Sequence, residues 1–422
     1  MPAARSSGPA VVAPRTTRSS QPLRCRSRMT GMSIFAWPPP YVTKSARGTD
    51  DILASRAASR SLDVVAGGSP SDAFQGPRRA EIMRVLVVGL GSMGKRRVRD
   101  LVRLEAGPVA GFDPREDRRT EARERYGIDV YTDFDEALTR HEPDAVVVST
   151  PPDRHKEYAL ASVSRGLHTF TELNLDPSVV DALIAAHRGP GIVIAPSATM
   201  RLHPAIVRMR SLLEGRAFGP ALLFTYHTGQ WLPDWHPWED YRDFFASRAA
   251  TGACREILAI ELSWLVWLFG PVDAVQAQRA KLSSLDADID DVYQVILEFR
   301  SRVLGHVLVD AIARPAVRFF RMCAEGGTIE WDAGSGSLRR YDVASAAWQS
   351  ETEQSAGLEP DTAGRESMYL SEMRDFLGAC RGDAPYAYGL EEERDVLRVL
   401  TAIDDSAGEG RRVRIARRSA PG

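Results

Sequence analysis

From Met83 onward, apolar residues come in short blocks separated by stretches of helical spacing. Arg84–Val88 is Val-rich and reads as a buried parallel strand. Met93, Val98, Leu101 and Val102 then recur at helical intervals, with arginines between them. Val109–Phe112, Val130–Tyr131, Ala145–Ser149, Thr169–Thr171 and Ile192–Ala195 predict further strands. Helical stretches fall at 155–164 and 177–187, and Pro114 suits the first turn of another helix, where no N–H is needed. Strand and helix in alternation predict an α/β domain over 81–198, built on a doubly wound parallel sheet.

The texture changes after residue 198. A helical pattern runs through Pro204–Leu213. Leu222–Thr228, Val292–Phe299, Val303–Ala311, Phe319–Ala324, Thr328–Trp331 and Leu338–Val343 are strand-like and joined by turn signals such as Gly326-Gly327. This predicts an α+β domain over 199–412 with an open antiparallel sheet. Helices near Ser367–Cys380 and Glu391–Ser406 close the chain.

Charge divides the sequence where the pattern does. The 422 residues carry a net −2, but residues 1–80 carry +8 and the remainder −10. No acid precedes Asp50, and the first segment is rich in Ser, Arg, Ala and Pro without a helix or strand period. It is read as a disordered extension, because it cannot bury enough surface to offset its ordering entropy. A transit peptide, a basic interaction tail, or sequence ahead of a natural start at Met83 would each account for it. The near-neutral total gives no reason to expect nucleic acid or an anionic membrane as partner. The most apolar stretch, Leu262 to Val275, is too short to span a bilayer. Four cysteines, none in a CxxC pair, and eight scattered histidines make no metal site and suit a reducing, cytoplasmic compartment.

The first strand runs into Gly89-Leu90-Gly91-Ser92-Met93-Gly94, a G-x-G-x-x-G that opens an amphipathic helix. Gly89 makes the tight turn, Gly91 lets a pyrophosphate approach the backbone, and Gly94 permits close helix–strand packing, as in a Rossmann domain. The N–H groups of Ser92 and Met93 begin a helix terminus that favours phosphate. Asp113, 24 residues after Gly89, can accept from both adenosine ribose hydroxyls, which favours NAD. Arg115, Arg118 and Arg119 could instead hold the 2′-phosphate of NADP.

Together with these residues, Ala145-Val-Val-Val-Ser-Thr-Pro-Pro152 with His155, Gly166-Leu-His-Thr-Phe-Thr-Glu172, Arg201-Leu-His-Pro204, Gly229-Gln-Trp-Leu-Pro-Asp-Trp-His-Pro237 and Trp267-Leu-Phe-Gly270 carry a resemblance. The chain resembles the Gfo/Idh/MocA oxidoreductases over about 83–410. The resemblance implies a Rossmann domain followed by an open-sheet domain that often forms a homo-oligomer interface. It implies hydride transfer between NAD(P) and a hydroxyl-bearing carbon of a sugar, cyclitol or nucleotide-sugar. Thr150, Pro151 and His155 should line the cofactor cleft, and Glu172 should lie near the nicotinamide side.

The sequence departs from the family where the chemistry is done. The family usually reads Glu-Lys-Pro after the fifth strand, and its lysine serves the substrate hydroxyl; here the run is Glu172-Leu173-Asn174. The usual histidine and aspartate of the second-domain helix are replaced at or near Ile260 and Ser263. Alcohol oxidation still needs a proton acceptor. Glu256 precedes that helix and Glu261 lies within it, five positions on and about 140° apart at helical spacing. Either could be a base through burial, unless an ion pair, as with Arg255, kept it charged and structural. His236 and Tyr241 are further candidates. They sit in a loop where Trp231, Trp235 and Trp238 offer flat faces and Asp234 and Arg242 polar edges. Arg201 and His203 could bind a substrate phosphate or anchor the hinge. Loss of the lysine and histidine also fits an alternative, a dinucleotide-binding protein with a regulatory or ligand-binding role.

Overall fold

Short, fully buried Val-rich runs form the central strands of the first domain. The computed structural model describes residues 82–187, 191–216, 218–237, 239–352 and 363–416; the basic extension and Trp238 lie outside the described residues. β1 (Val85–Val88), β2 (Val109–Phe112), β3 (Asp129–Tyr131), β4 (Ala145–Val148), β5 (His168–Thr171) and β6 (Ile194–Pro196) make one parallel sheet in the order β3-β2-β1-β4-β5-β6. The helices α1 (Ser92–Arg103), α2 (Glu116–Tyr126), α3 (Phe134–His141), α4 (His155–Ser164) and α5 (Pro177–Ala186) connect them. Successive side chains of a strand point to opposite faces, so both faces are apolar. Val85, Val87, Ala145 and Val147 face Val98 and Leu101 of α1. Leu86, Val88, Val146 and Val148 pack with Leu138, Tyr158 and Val180 of the opposite helices.

After α6 (Pro204–Glu214) the chain enters the second sheet. Its strands are β7 (Ala221–Gly229), β8 (Val272–Ala280), β9 (Val292–Phe299), β10 (Leu304–Asp310), β11 (Val317–Ala324), β12 (Gly327–Asp332), β13 (Ser337–Asp342), β14 (Ala347–Thr352) and β15 (Val413–Arg414). Their order is β14-β13-β12-β11-β7-β10-β9-β8-β15. The expected antiparallel pattern holds except at its centre, where β7 and β10 run parallel. The reason is the connection: parallel neighbours need a crossover, and here α7 (Ala253–Phe269), β8 and β9 intervene. α7 and α9 (Leu390–Glu409) cover one face. Leu223, Ile296 and Leu304 are exposed on the other.

α8 (Ala363–Arg381) returns to the first domain, where Met373, Phe376 and Leu377 join the α1 face of the parallel sheet. The C-terminal segment therefore straps the two halves together. Arg97 of α1, fully buried, pairs with Glu372 of α8 at 2.8 Å.

Candidate functional site

The glycine turn is shaped by contacts that leave no room for side chains. Gly89 has φ +90°, and a Cβ there would lie 2.7 Å from the Ser149 carbonyl oxygen. A Cβ on Gly94 would lie 1.7 Å from the Gly89 carbonyl oxygen. Gly91, the N-cap of α1, provides no side-chain cap, so the helix that Ser92 and Met93 begin has an uncapped N-terminus, which favours an anion. Thr150 follows β4, and its Oγ1 is buried without a hydrogen-bond partner. A tight glycine cradle, an uncapped helix terminus and an orphaned hydroxyl fit a dinucleotide along this edge.

Asp113 holds the turn from the side. Its carboxylate accepts from the Leu90 N–H at 2.8 Å and the Arg115 N–H at 2.9 Å, and it is buried. Arg118 Nη1 is 3.5 Å from Asp113, and the guanidinium lies over Gly91. The Arg115 side chain is exposed and paired with Asp117 at 2.6 Å. The charge of Glu239, from the second domain, also reaches Arg115.

His155, expected to line the cleft, is placed differently, and Glu172 is held in an ion pair. His155 is fully buried behind the wall: Nε2 is 2.8 Å from the Thr150 carbonyl oxygen and Nδ1 3.2 Å from Asn174 Oδ1. It supports Thr150 rather than facing a ligand, because it opens α4 inward against β5. Glu172 is clamped by the Arg97 guanidinium at 2.7 and 3.0 Å and receives the Ser149 hydroxyl at 3.3 Å. Pro151 is exposed at the rim.

The start of α7 brings Glu256 to this edge. Arg255 points away, with Nε donating to Asp404 at 2.8 Å and Nη1 to the Leu175 carbonyl at 3.2 Å. Among the described residues no hydrogen bond or ion pair engages the half-buried Glu256 carboxyl. Burial, and then the nearby Glu172 charge, push it up to about 8. The neighbouring 3₁₀ turn Ala249–Thr251 touches Pro152–Arg154 of the first domain. Beside it lies a cavity of about 360 Å³ lined by Gly252, Arg255, Arg279, Lys281, Asp290 and Tyr293.

The other acid–base candidates have structural partners. Glu261 is fully buried and accepts from Tyr226 Oη at 2.8 Å, Trp264 Nε1 at 2.6 Å and Arg318 Nη2 at 2.8 Å. The Tyr241 hydroxyl accepts from the Asp286 N–H at 3.1 Å. The His236 ring packs on Phe244 and its Nδ1 is 2.5 Å from Glu239. Through these contacts the two residues also brace the aromatic loop. Arg201 is buried and donates to the Ser263 carbonyl and to Glu392.

Sequence reasoning missed Arg97, Asn174 and Glu393. Asn174 and Glu393 meet across 219 positions of chain, so no local pattern could signal them.

Residues 83–188 match the family model described as "Oxidoreductase family, NAD-binding Rossmann fold", and residues 206–330 that of the "GFO/IDH/MocA C-terminal domain". The chain is 31% identical over 155 residues to an inositol 2-dehydrogenase of Streptomyces avermitilis, 35% of this chain and 45% of that one. It is 29% identical over 127 residues to a 4-carboxy-2-hydroxymuconate-6-semialdehyde dehydrogenase of Sphingobium sp., 29% of this chain and 40% of that one. The chain thus spans less than half the length of these curated relatives. Levoglucosan dehydrogenase, solved with NADH and levoglucosan, shares the fold with a TM-score of 0.69 at 19% identity, covering 79% of this chain and 100% of that one.

Proposed function

Since the chain belongs to the Gfo/Idh/MocA oxidoreductases, we propose that it transfers a hydride between NAD(P) and a hydroxyl-bearing carbon of a sugar, cyclitol or nucleotide-sugar, with Glu256 moving the hydroxyl proton. When bound, the cofactor supplies the hydride donor or acceptor. Gly89, Gly91 and Gly94 leave room for its pyrophosphate, and the N–H groups of Ser92 and Met93 bind it. Asp113 and Arg115 stand at the adenosine ribose, and Thr150 and Pro151 at the wall beyond it. Arg97 fixes Glu172 in an ion pair, and burial followed by the nearby Glu172 carboxylate raises the proton affinity of Glu256.

The carrying observation is the unpaired carboxyl of Glu256. A base tuned close to working pH is the most effective proton carrier, and about 8 is close. Leu173 offers neither charge nor proton, so this group takes over the task for which the family uses lysine. The aromatic loop around Trp231 and Trp235 supplies apolar faces for a ring-shaped substrate. The exposed Leu223, Ile296 and Leu304 support a homo-oligomer formed through the open sheet. We place the protein in the cytoplasm, which suits its free Cys254, Cys323 and Cys380.

The experiment is a polyol and nucleotide-sugar screen with NAD and NADP, following absorbance of the reduced cofactor, with Glu256→Gln as control. Turnover that collapses in the variant supports this reading. Cofactor binding without turnover on any polyol would favour the regulatory alternative.

A further inference from the structure

Behind the cofactor wall, four groups form a buried line whose hydrogen atoms can be counted. His155 Nε2 lies 2.8 Å from the Thr150 carbonyl oxygen, and His155 Nδ1 lies 3.2 Å from Asn174 Oδ1. Asn174 Nδ2 is 3.1 and 3.2 Å from the two Glu393 carboxyl oxygens and 3.2 Å from Thr171 Oγ1. The Asn174 backbone N–H also points at Glu393 Oε1, at 3.3 Å. His155, Asn174 and Glu393 are all fully buried.

A carbonyl oxygen only accepts, so Nε2 carries a hydrogen. In the neutral ring Nδ1 then needs a donor. With Oδ1 facing it, the line closes only if His155 is an imidazolium and Glu393 a carboxylate. With the amide turned over, Nδ2 donates to Nδ1, and Oδ1 needs a donor, which is a protonated Glu393. The two ends of an amide have nearly the same shape, and the Thr171 hydroxyl serves either orientation. Both arrangements hold the same single proton. An ionised Glu393 with a neutral His155 leaves two acceptors facing each other in either orientation.

Burial chooses between the two closed arrangements. Separating charge across an amide would desolvate two ions without direct contact between them. Burial outweighs the opposing hydrogen bonds at both ends, pushing Glu393 up to about 8 and His155 down. Other charges around the line do not rescue the ion pair. The charges of Glu172 and Asp153 favour an imidazolium at His155 but are outweighed by its burial, and Tyr388, buried beside Glu393, has no hydrogen-bond partner for its hydroxyl. On the elements around α9, Arg201 pairs with Glu392, Asp181 with Arg394, and Arg255 and Arg279 with Asp404.

We propose that Glu393 is a positioning residue: it keeps a proton in the working protein, donates it to the Asn174 carbonyl, and so fixes His155 as the neutral Nε2–H ring that holds the Thr150 wall. The functional part of this rests on reading that wall as the cofactor cleft. Loss of the proton at alkaline pH forces two acceptors together and loosens the wall.

The test is long-range ¹H–¹⁵N correlation on the full chain labelled at histidine, from pH 6 to 9.5, with His155 assigned by its loss in His155→Gln. The expected result is a neutral Nε2–H ring at pH 7, whose nitrogen shifts change with a midpoint near 8. That change persists in Glu256→Gln and vanishes in Glu393→Gln, whose amide can donate to Asn174 and accept its N–H. NADH affinity, compared in the Glu256→Gln background, falls at least threefold between pH 7 and 9 and stays flat once Glu393→Gln is added. An imidazolium at pH 7, or the same His155 titration in wild type and Glu393→Gln, overturns the proposal. If Glu393→Gln does not fold, the ring state of wild-type His155 at pH 7 decides. A chain with this His155 profile but no turnover would overturn the proposed activity and leave this inference standing.

Discussion

Arg255 and Glu256 are adjacent on α7 yet point apart: the guanidinium is held by Asp404 at 2.8 Å and by the Leu175 carbonyl, and the carboxyl is left without a cation. That separation allows Glu256 to titrate near 8. Oxidation needs the carboxylate, so its rate should rise with pH through about 8; reduction needs the acid and should fall through the same value. Glu256→Gln should lower kcat by about 10²–10⁴-fold with NADH affinity changed less than threefold. Tyr241→Phe gives the contrast: it leaves one loop hydrogen bond unmade, costs about 1 kcal/mol of stability and retains turnover. Steady-state kinetics with the three proteins from pH 6 to 9.5 checks this. Equal kcat in wild type and Glu256→Gln would remove Glu256 from the chemistry.

The glycine turn separates a structural requirement from a binding one. A Cβ on Gly94 would collide with backbone at 1.7 Å, and backbone cannot swing aside. On Gly91 the nearest atom is the mobile Arg118 guanidinium, at 3.4 Å. Gly94→Ala should therefore lose both stability, by more than about 2 kcal/mol, and cofactor binding. Gly91→Ala should keep its Tm within about 2 °C and weaken NADH at least tenfold, because only the pyrophosphate approach is filled. Thermal melts paired with tryptophan-fluorescence titration read both quantities.

Stability should carry the mark of the buried Glu393. Its folded pKa is raised to about 8, so between an unfolded value of about 4.3 and that point the folded chain holds a proton that the unfolded chain has released. Stability is therefore greatest below that window and falls as pH rises through it. The loss attributable to this group between pH 5 and 8 is about 2–4 kcal/mol. Urea midpoints for wild type and Glu393→Gln at pH 5, 6.5 and 8 isolate it, since only the wild type should show this slope. Parallel slopes would mean that Glu393 ionises normally.

The reasons for what sequence could and could not show lie in the residues. The parallel sheet was legible because strands buried on both faces leave unbroken runs such as Val85–Val88 and Ala145–Val148. β8 was not, because a bulge between Val272 and Ala274 shifts its inward face and beyond it only Val275 and the small Ala277 point inward. β14 lies at the sheet edge and carries Gln349, Ser350 and Glu351, with no apolar side to detect. Glu256 could be named from its place beside the helix, but its freedom from Arg255 depends on Asp404, 149 positions away. Glu393 closes the run Glu391-Glu392-Glu393, which reads as an ordinary acidic helix start; only the fold shows that its third member is buried against Asn174.

Cofactor choice turns on Asp113 and Arg118. The carboxylate is committed to the Leu90 and Arg115 N–H groups, and its charge would oppose a 2′-phosphate brought beside it. Arg118, 3.5 Å away and about one-third exposed, is the cation that could swing to meet that phosphate. The balance favours NADH over NADPH by about tenfold, since about 1.4 kcal/mol separates repulsion from partial compensation. Arg118→Ala should leave NADH affinity within threefold and widen the gap, because it removes a cation that only the phosphate needs. Asp113→Asn should narrow the gap, and it should also lower Tm, because one amide oxygen must replace two carboxylate oxygens that each hold a backbone N–H. Fluorescence titrations with both cofactors, read beside melting curves, separate the electrostatic effect from damage to the turn. A wild type that binds NADPH more tightly than NADH would reverse the assignment and make Arg118 the dominant residue at this end of the cleft.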